Sequence, residues 1–321
     1  MSSAGIGILG VGYAVPNKVR LNDDPIFEAL RSENAAQDEA ALFYGNRERR
    51  VLQEGESLSA LTVQACEAAL LHARLQKTEI DRLYGYVSVS EYVAPNALYE
   101  VHQLLGLPTS ALVVPIQSEF TNFLLGTILA REAIIAGSAQ RIIVAAGAGW
   151  TRNIDYKQGH SVGIGDGAGA AVLGLSDRMV ITDWAIDTFS DEYGAMVMKR
   201  WPDRPHDHPT YGIDPAFGIK AFMSSGMNGP PRLVLSLLAK HGIRASDVTL
   251  ITHQATRKLM DHWANAIQPG AYLDTFEAFG NLVIASIPIS LACFFDKIET
   301  PWLVMAGLGI GAHQGAILVR C

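Results

Sequence analysis

One helix–turn–strand pattern occurs twice in this 321-residue chain, about half a chain apart. Residues 70–92, LLHARLQKTEIDRLYGYVSVSEY, and 237–258, LLAKHGIRASDVTLITHQATRK, each run from a helix through a basic turn. Each then passes a Thr or Ser and an Asp into an apolar strand that ends on polar residues. A second pair occurs at a similar offset: Arg141 to Gly149 (RIIVAAGAG) resembles Trp302 to Gly311 (WLVMAGLGIG). Gly167 to Gly174 (GAGAAVLG) likewise resembles Gln314 to Arg320 (QGAILVR). Such self-similarity predicts two copies of one α/β unit, residues 1–178 and 179–321, with the break between Leu175 and Asp183. Two units meeting across a pseudo-twofold bring strand ends from both halves into one cleft.

Within the first half, Ala111 to Arg152 reads as strand, polar turn, helix and strand. Leu112 to Val114 is a short apolar run, and Gln117, Ser118 and Glu119 interrupt it. Phe123, Leu124, Ile128, Leu129, Ala133 and Ile134 then recur at helical spacing, until Gly137 and Ser138 end the helix. A polar residue where a strand turns into a helix stands beside unpaired N–H groups and a positive dipole end, which favour developing negative charge.

Composition narrows the class. The chain is 49% hydrophobic and 18% charged, which suits a folded protein with a large core. Its net charge of -7, with no long basic tract, argues against nucleic acid as a partner. No apolar run is long enough to span a membrane, so no membrane association is expected. The opening MSSAGIGILGVGYAVP has no basic region ahead of its apolar run, so no secretory signal is read there. Three cysteines are too few for a disulfide framework, and a cytoplasmic protein is expected. Cys66 sits on the apolar stripe of a helix and Cys293 in an equally apolar run, and both read as packing residues. GIGILG fits the spacing of a dinucleotide loop, but no strand precedes it and no helix opens behind it. His206-Asp207-His208 has no third ligand in view, so no metal is expected. The surrounding segment, Ser190 to Asn228, reads as an insertion covering the cleft, helical near Phe217 to Met223.

Several motifs together resemble one family. They are Gly165 to Leu173 (GDGAGAAVL), His253-Gln254-Ala255 at a strand end, and Gly280-Asn281 followed by Ala285-Ser286-Ile287-Pro288. The closing GLGIGAHQGAILVR and the turn NRERR at 46–50 complete the set. In order and approximate spacing the chain is similar to the beta-ketoacyl-ACP synthase III group of the thiolase fold. The resemblance implies a five-layered αβαβα architecture and a homodimer, or a heterodimer with a cysteine-containing homologue. It implies acyl thioesters of coenzyme A or acyl carrier protein as substrates, with no cofactor beyond these phosphopantetheine substrate carriers, in a specialised fatty acid- or polyketide-type pathway.

The family's chemistry uses a cysteine at the strand-to-helix turn, a histidine and an asparagine. His253 and Asn281 match the last two, as donors that stabilise a thioester oxyanion. The cysteine is missing. Laying the strand without gaps puts Ser118 in its slot, counting forward from Leu105-Gly106 puts Glu119 there, and counting back from Gly137 puts Phe120 there. The most local count favours Ser118. A serine would carry the acyl group as an ester. A glutamate would act as a base or mimic an acylated nucleophile, leaving decarboxylation or hydrolysis to His253 and Asn281. A phenylalanine would fill the slot, end covalent chemistry, and leave a non-acylating partner that shapes the cleft of a dimer whose other subunit reacts. The alternative to an acyltransferase is thus a non-acylating or decarboxylase-only partner subunit. The resemblance further implies a basic rim for the pantetheine-linked carrier, with Arg47, Arg49 and Arg257 as candidates and Lys258 beside the last. It also suggests the Ile310 N–H as an oxyanion-hole donor, and His313 in the closing glycine turn as either an acyl-pocket residue or a loop histidine.

Overall fold

The small residues from Gly5 to Ala14 form strand β1, in the middle of a ten-stranded sheet. A Cβ on Gly10 or Gly12 would strike the main chain of helix α1 (Leu58–Ala73) at Ala69 and Ala65, so glycine lets the helix lie directly on the strand. The computed structural model describes residues 5–33, 39–199 and 210–321. The His206-Asp207-His208 triplet lies outside the described residues, among which no group of three His, Cys, Asp or Glu side chains could hold a metal ion.

The other strands are β2 (Arg82–Ser88), β3 (Leu112–Pro115), β4 (Ile142–Ala148), β5 (Gly167–Ser176), β6 (Val180–Thr188), β7 (Val248–Thr252), β8 (Ala271–Tyr272), β9 (Trp302–Gly309) and β10 (His313–Arg320). Their order is β8-β7-β9-β10-β6-β1-β5-β4-β2-β3. Outward from the centre, the first half runs β1-β5-β4-β2-β3, with two antiparallel pairings followed by two parallel ones. The second half runs β6-β10-β9-β7-β8 with the same senses in the same sequence. The two sets touch through the antiparallel pair Gly7 and Val180. The repeat in the sequence is thus a repeat of topology.

Helix α1 covers β1 and β5 on one outside face, and helix α4 (Met227–His241) covers β10, β6 and β9 on the other. Between the two five-stranded halves of the sheet lie helix α3 (Asn122–Ile135) and helix α6 (Ser286–Phe294), helix α2 (Leu98–Leu105) packing against α1 and helix α5 (Arg257–Ile267) against α4. Six consecutive residues of α6, Ser286 to Leu291, are buried, as expected of a helix with protein on every side. The central cluster joins Ile8, Leu124 and Ile128 of one half to Ile251, Ile287 and Met305 of the other. This is the αβαβα layering expected from the sequence. No helix among the described residues is long and apolar enough to cross a membrane.

Candidate active site

His253 stands at the carboxyl end of β7, where α/β folds gather ligand-binding groups. Its N–H donates to the Ala306 carbonyl at 3.0 Å, carrying the strand ladder one residue past the last strand position. Gln254 anchors the chain as it leaves the strand. Its amide donates to Ser290 Oγ at 3.1 Å and to Thr275 Oγ1 at 3.2 Å, and its Oε1 accepts from the Thr275 N–H at 2.9 Å. The residue after the imidazole is therefore tied to α6.

Asn281 follows Gly280, whose φ of 71° lies in the left-handed region that favours glycine. A Cβ there would also strike the Gly163 carbonyl. The Asn281 N–H donates to that carbonyl at 2.7 Å, and the Asn281 carbonyl accepts from the Gly165 N–H at 3.0 Å. Its side-chain Oδ1 accepts from the Val283 N–H at 2.9 Å. A backbone N–H requires an acceptor, so the oxygen is spent on Val283 and the NH2 end is left to donate. Asp166, next to Gly165, accepts from the N–H groups of Leu52 (2.8 Å) and Thr151 (3.0 Å) and from the Thr151 hydroxyl. Burial pushes its pKa up to about 6 against the pull of those hydrogen bonds.

His253 and Asn281 line one cavity of about 270 Å³. Its other walls are mostly apolar or aromatic, with Phe120, Trp150, Tyr211, Ile213 and Phe222 among them. Part of that wall, Met196, Tyr211, Ile213 and Ile219, comes from the segment read as an insertion over the cleft. Burial lowers the His253 pKa to about 4, although a backbone hydrogen bond at Val283 pulls the other way, so the ring is neutral near pH 7. Apart from that Val283 backbone contact, neither ring nitrogen has a hydrogen-bond partner among the described residues. The buried imidazole therefore keeps at least one nitrogen for a ligand.

The head of α3 settles which residue faces that imidazole. Phe120 lies flat on the His253 ring, with centroids 4.9 Å apart and planes 3° from parallel. Its edge meets Trp150 at 5.6 Å. The favoured count from the sequence, which put Ser118 there, is corrected. The turn before α3 sends consecutive side chains to different places. The Ser118 hydroxyl lies 2.7 Å from His313 Nε2, and the Thr121 hydroxyl contacts the same nitrogen. Glu119 turns to Ser88, whose hydroxyl donates to Glu119 Oε1 at 2.5 Å and accepts from Trp150 Nε1–H at 2.7 Å. Glu119 Oε2 is buried without a partner among the described residues, and burial pushes the carboxyl pKa up to about 7, partly offset by the Ser88 bond. None of the three cysteines lines the cavity, and Cys66 is fully buried with its pKa pushed up to about 12.

Other expected site groups are engaged elsewhere. The Ile310 N–H donates to the Glu119 carbonyl, so it is not a free oxyanion donor. Arg257 forms two hydrogen bonds to Asp274, at 2.7 and 3.0 Å, and stacks over Phe276. Arg49 is fully buried, held by Asn22, Asn46 and the Val162 carbonyl. Arg47 remains on the surface, 3.6 Å from Glu277, and Lys258 is exposed. His313 borders a separate space of about 20 Å³. Arg257→Ala should therefore cost about 2 kcal/mol in urea unfolding, the scale of a lost charged hydrogen-bond pair, with little change in thioester affinity by calorimetry. A weakened affinity at unchanged stability would return Arg257 to the binding rim.

Sequence reasoning missed Ser88, Trp150, His160 and Tyr211. Ser88 closes β2 and Trp150 comes just after β4, so their strand-end positions were a usable signal. His160 and Tyr211 meet edge to face at 5.1 Å in the cavity wall, and nothing in their local sequence marks that.

The chain is similar to known proteins along most of its length. The family model for 3-oxoacyl-[acyl-carrier-protein] synthase III matches residues 116–192, and the model for its C-terminal part matches residues 238–321. The beta-ketoacyl-[acyl-carrier-protein] synthase III of Bartonella henselae is 29% identical, with 98% of each chain covered. That of Rubrobacter xylanophilus is 27% identical over the same shares. In fold, the chain is similar to the 3-oxoacyl-(acyl carrier protein) synthase III of Pseudomonas aeruginosa, with a TM-score of 0.86, 22% identity and 98% of each chain covered. It is also similar to the priming beta-ketosynthase of the R1128 polyketide pathway, with a TM-score of 0.85, 22% identity, and 98% of this chain and 96% of that one covered. The repeated halves, the strand-end histidine and the glycine–asparagine turn thus belong to a 3-oxoacyl-[acyl-carrier-protein] synthase III-like protein of the thiolase superfamily.

Proposed function

We propose that this protein works on acyl thioesters of coenzyme A or acyl carrier protein, in the acyltransferase or condensing chemistry of a fatty acid- or polyketide-type pathway in the cytoplasm. His253 and Asn281 are the pair that polarises the thioester carbonyl. One observation carries the reading: the His253 imidazole and an Asn281 carboxamide whose oxygen is already held by the Val283 N–H line the same apolar cavity. Two donors converging on one oxygen stabilise the enolate left when a malonyl-type thioester loses carbon dioxide. That half-reaction needs no covalent acyl-enzyme. A neutral His253 suits it, because an N–H donor is required and a proton carrier is not.

Phe120 favours a division of labour within this chemistry. With an aromatic ring against His253, no acyl group is carried at position 120, beside that imidazole. The acyl acceptor thiol then comes from another subunit, and a dimer with a cysteine-bearing homologue fits better than a self-sufficient homodimer.

Malonyl-CoA decarboxylation, followed by chromatography of the acetyl-CoA formed, tests the reading. Asn281→Ala and His253→Ala should each slow it by about 10²-fold, the scale of a lost oxyanion donor. Equal rates in wild type and both variants would remove the pair from the chemistry.

A further inference from the structure

The contact between Ser118 and His313 is a built one that the decarboxylation chemistry leaves unused. His313 opens β10, directly after the closing glycine turn. A Cβ on Gly309 would meet the imidazole Cε1 at 2.5 Å, so glycine there makes the room the ring occupies. The ring presents Nε2 to two hydroxyls, Ser118 at 2.7 Å and Thr121, which are 3.0 Å from each other. Thr121 is buried, at 1% exposure, whereas Ser118 is half-buried, so of the two residues Ser118 is the one open to solvent.

We propose that Ser118 and His313 form a second nucleophilic site, separate from the His253–Asn281 cavity, at which Ser118 takes an acyl group from a thioester as an oxygen ester. It shares with the proposed decarboxylation only the chemical class of the donor. In the step, Ser118 Oγ attacks the thioester carbonyl carbon as its proton passes to His313 Nε2. The C–O bond forms, the C–S bond breaks, and the departing thiolate takes the proton back from the imidazole. No oxidant or further reactant is needed.

Three features suit this step. The distance is that of a serine already hydrogen-bonded to its base. Burial lowers the His313 pKa while a backbone hydrogen bond at Ile310 partly opposes it, so the ring is mostly the neutral form that accepts a proton. The first turn of the 14-residue helix α3 starts four residues after Ser118, which places the serine near the positive end of that helix. His313 also stands behind the acyl-cavity wall, since Met196, Phe222 and Leu308 line both that cavity and the small one beside the ring. The other ionisable groups nearby are Glu119, turned away toward Ser88, and Glu192, which lines the small cavity and accepts from the hydroxyls of Ser224 and Ser225.

The test uses the full chain with a fluorophosphonate probe and, in parallel, acetyl-CoA and octanoyl-CoA, each reaction analysed by peptide mapping. The expected result is a phosphonyl adduct and an acyl ester on Ser118, both absent in Ser118→Ala. Phosphonylation should slow at least about tenfold in His313→Gln, and in wild type it should fall as pH drops below the ordinary imidazole range. If His313→Gln does not fold, the wild-type pH profile decides alone. No adduct on folded wild type, a rate indifferent to pH and to His313, or an adduct with no ester from either thioester overturns the proposal. The probe needs neither thioester nor His253, so failure of the decarboxylation reading would not produce these outcomes.

Discussion

Phe120→Cys should give a protein that carries an acyl group as a thioester on residue 120, from none in wild type to near-stoichiometric occupancy with a suitable acyl-CoA. The new thiol would project from the position where the Phe120 ring now stacks on His253. It would also sit at the N-terminus of α3, where the helix dipole favours the thiolate, beside a neutral imidazole that can accept its proton. Removing the ring enlarges the cavity at an expected cost of about 3 kcal/mol, the lower end for a buried phenylalanine cut to a small residue. Intact mass would register the gain, mapping would assign it to residue 120, and neutral hydroxylamine would remove it, unlike an ester on Ser118. A folded variant that stays unacylated at 120 would mean that the slot has lost more than its sulfur.

That substitution addresses the position the sequence left open. The doubled topology was legible because a helix–strand pattern repeated at half-chain offset points to a duplicated unit, and the strand orders of the two halves agree with it. His253 and Asn281 were singled out because their motifs, HQA at a strand end and Gly-Asn ahead of ASIP, resemble those of a known family, and the structure brings both to one cavity. The head of α3 was not. A shift of one residue along a turn re-aims a side chain completely, and three counts differing by two residues pointed to three side chains with three destinations. Only packing against β7 and β4 decides among them. Arg257 and Ile310 failed for a related reason: a residue string does not reveal that Asp274 pairs with the guanidinium, or that the Glu119 carbonyl claims the N–H. Trp150 and Ser88 were within reach, since both stand at strand ends, but neither belongs to a motif that names a role.

The Glu119→Gln variant should be more stable than wild type at pH 8 by about 3 kcal/mol more than at pH 4.5. In the unfolded chain this carboxyl titrates near 4.5, and in the fold near 7, because burial disfavours its charge more than the Ser88 bond supports it. Between those values the folded protein holds a proton that the unfolded chain releases. Stability from this group is therefore complete below about pH 4.5, falls as pH rises to about 7, and is level above that. Each pH unit in the window is worth about 1.4 kcal/mol. Glutamine keeps an acceptor for the Ser88 hydroxyl but has no proton to lose, so its stability lacks this slope. The buried Asp166 titrates in the same direction but is common to both proteins and cancels in their difference. Urea unfolding at several pH values would measure that difference, and one that stays flat from pH 4.5 to 8 would show that the carboxylate is not held neutral. Ser88→Ala sharpens the argument, because it removes the hydrogen bond that pulls the Glu119 pKa down. The window should then extend to higher pH, whereas a merely structural role for Ser88 would lower stability equally at every pH.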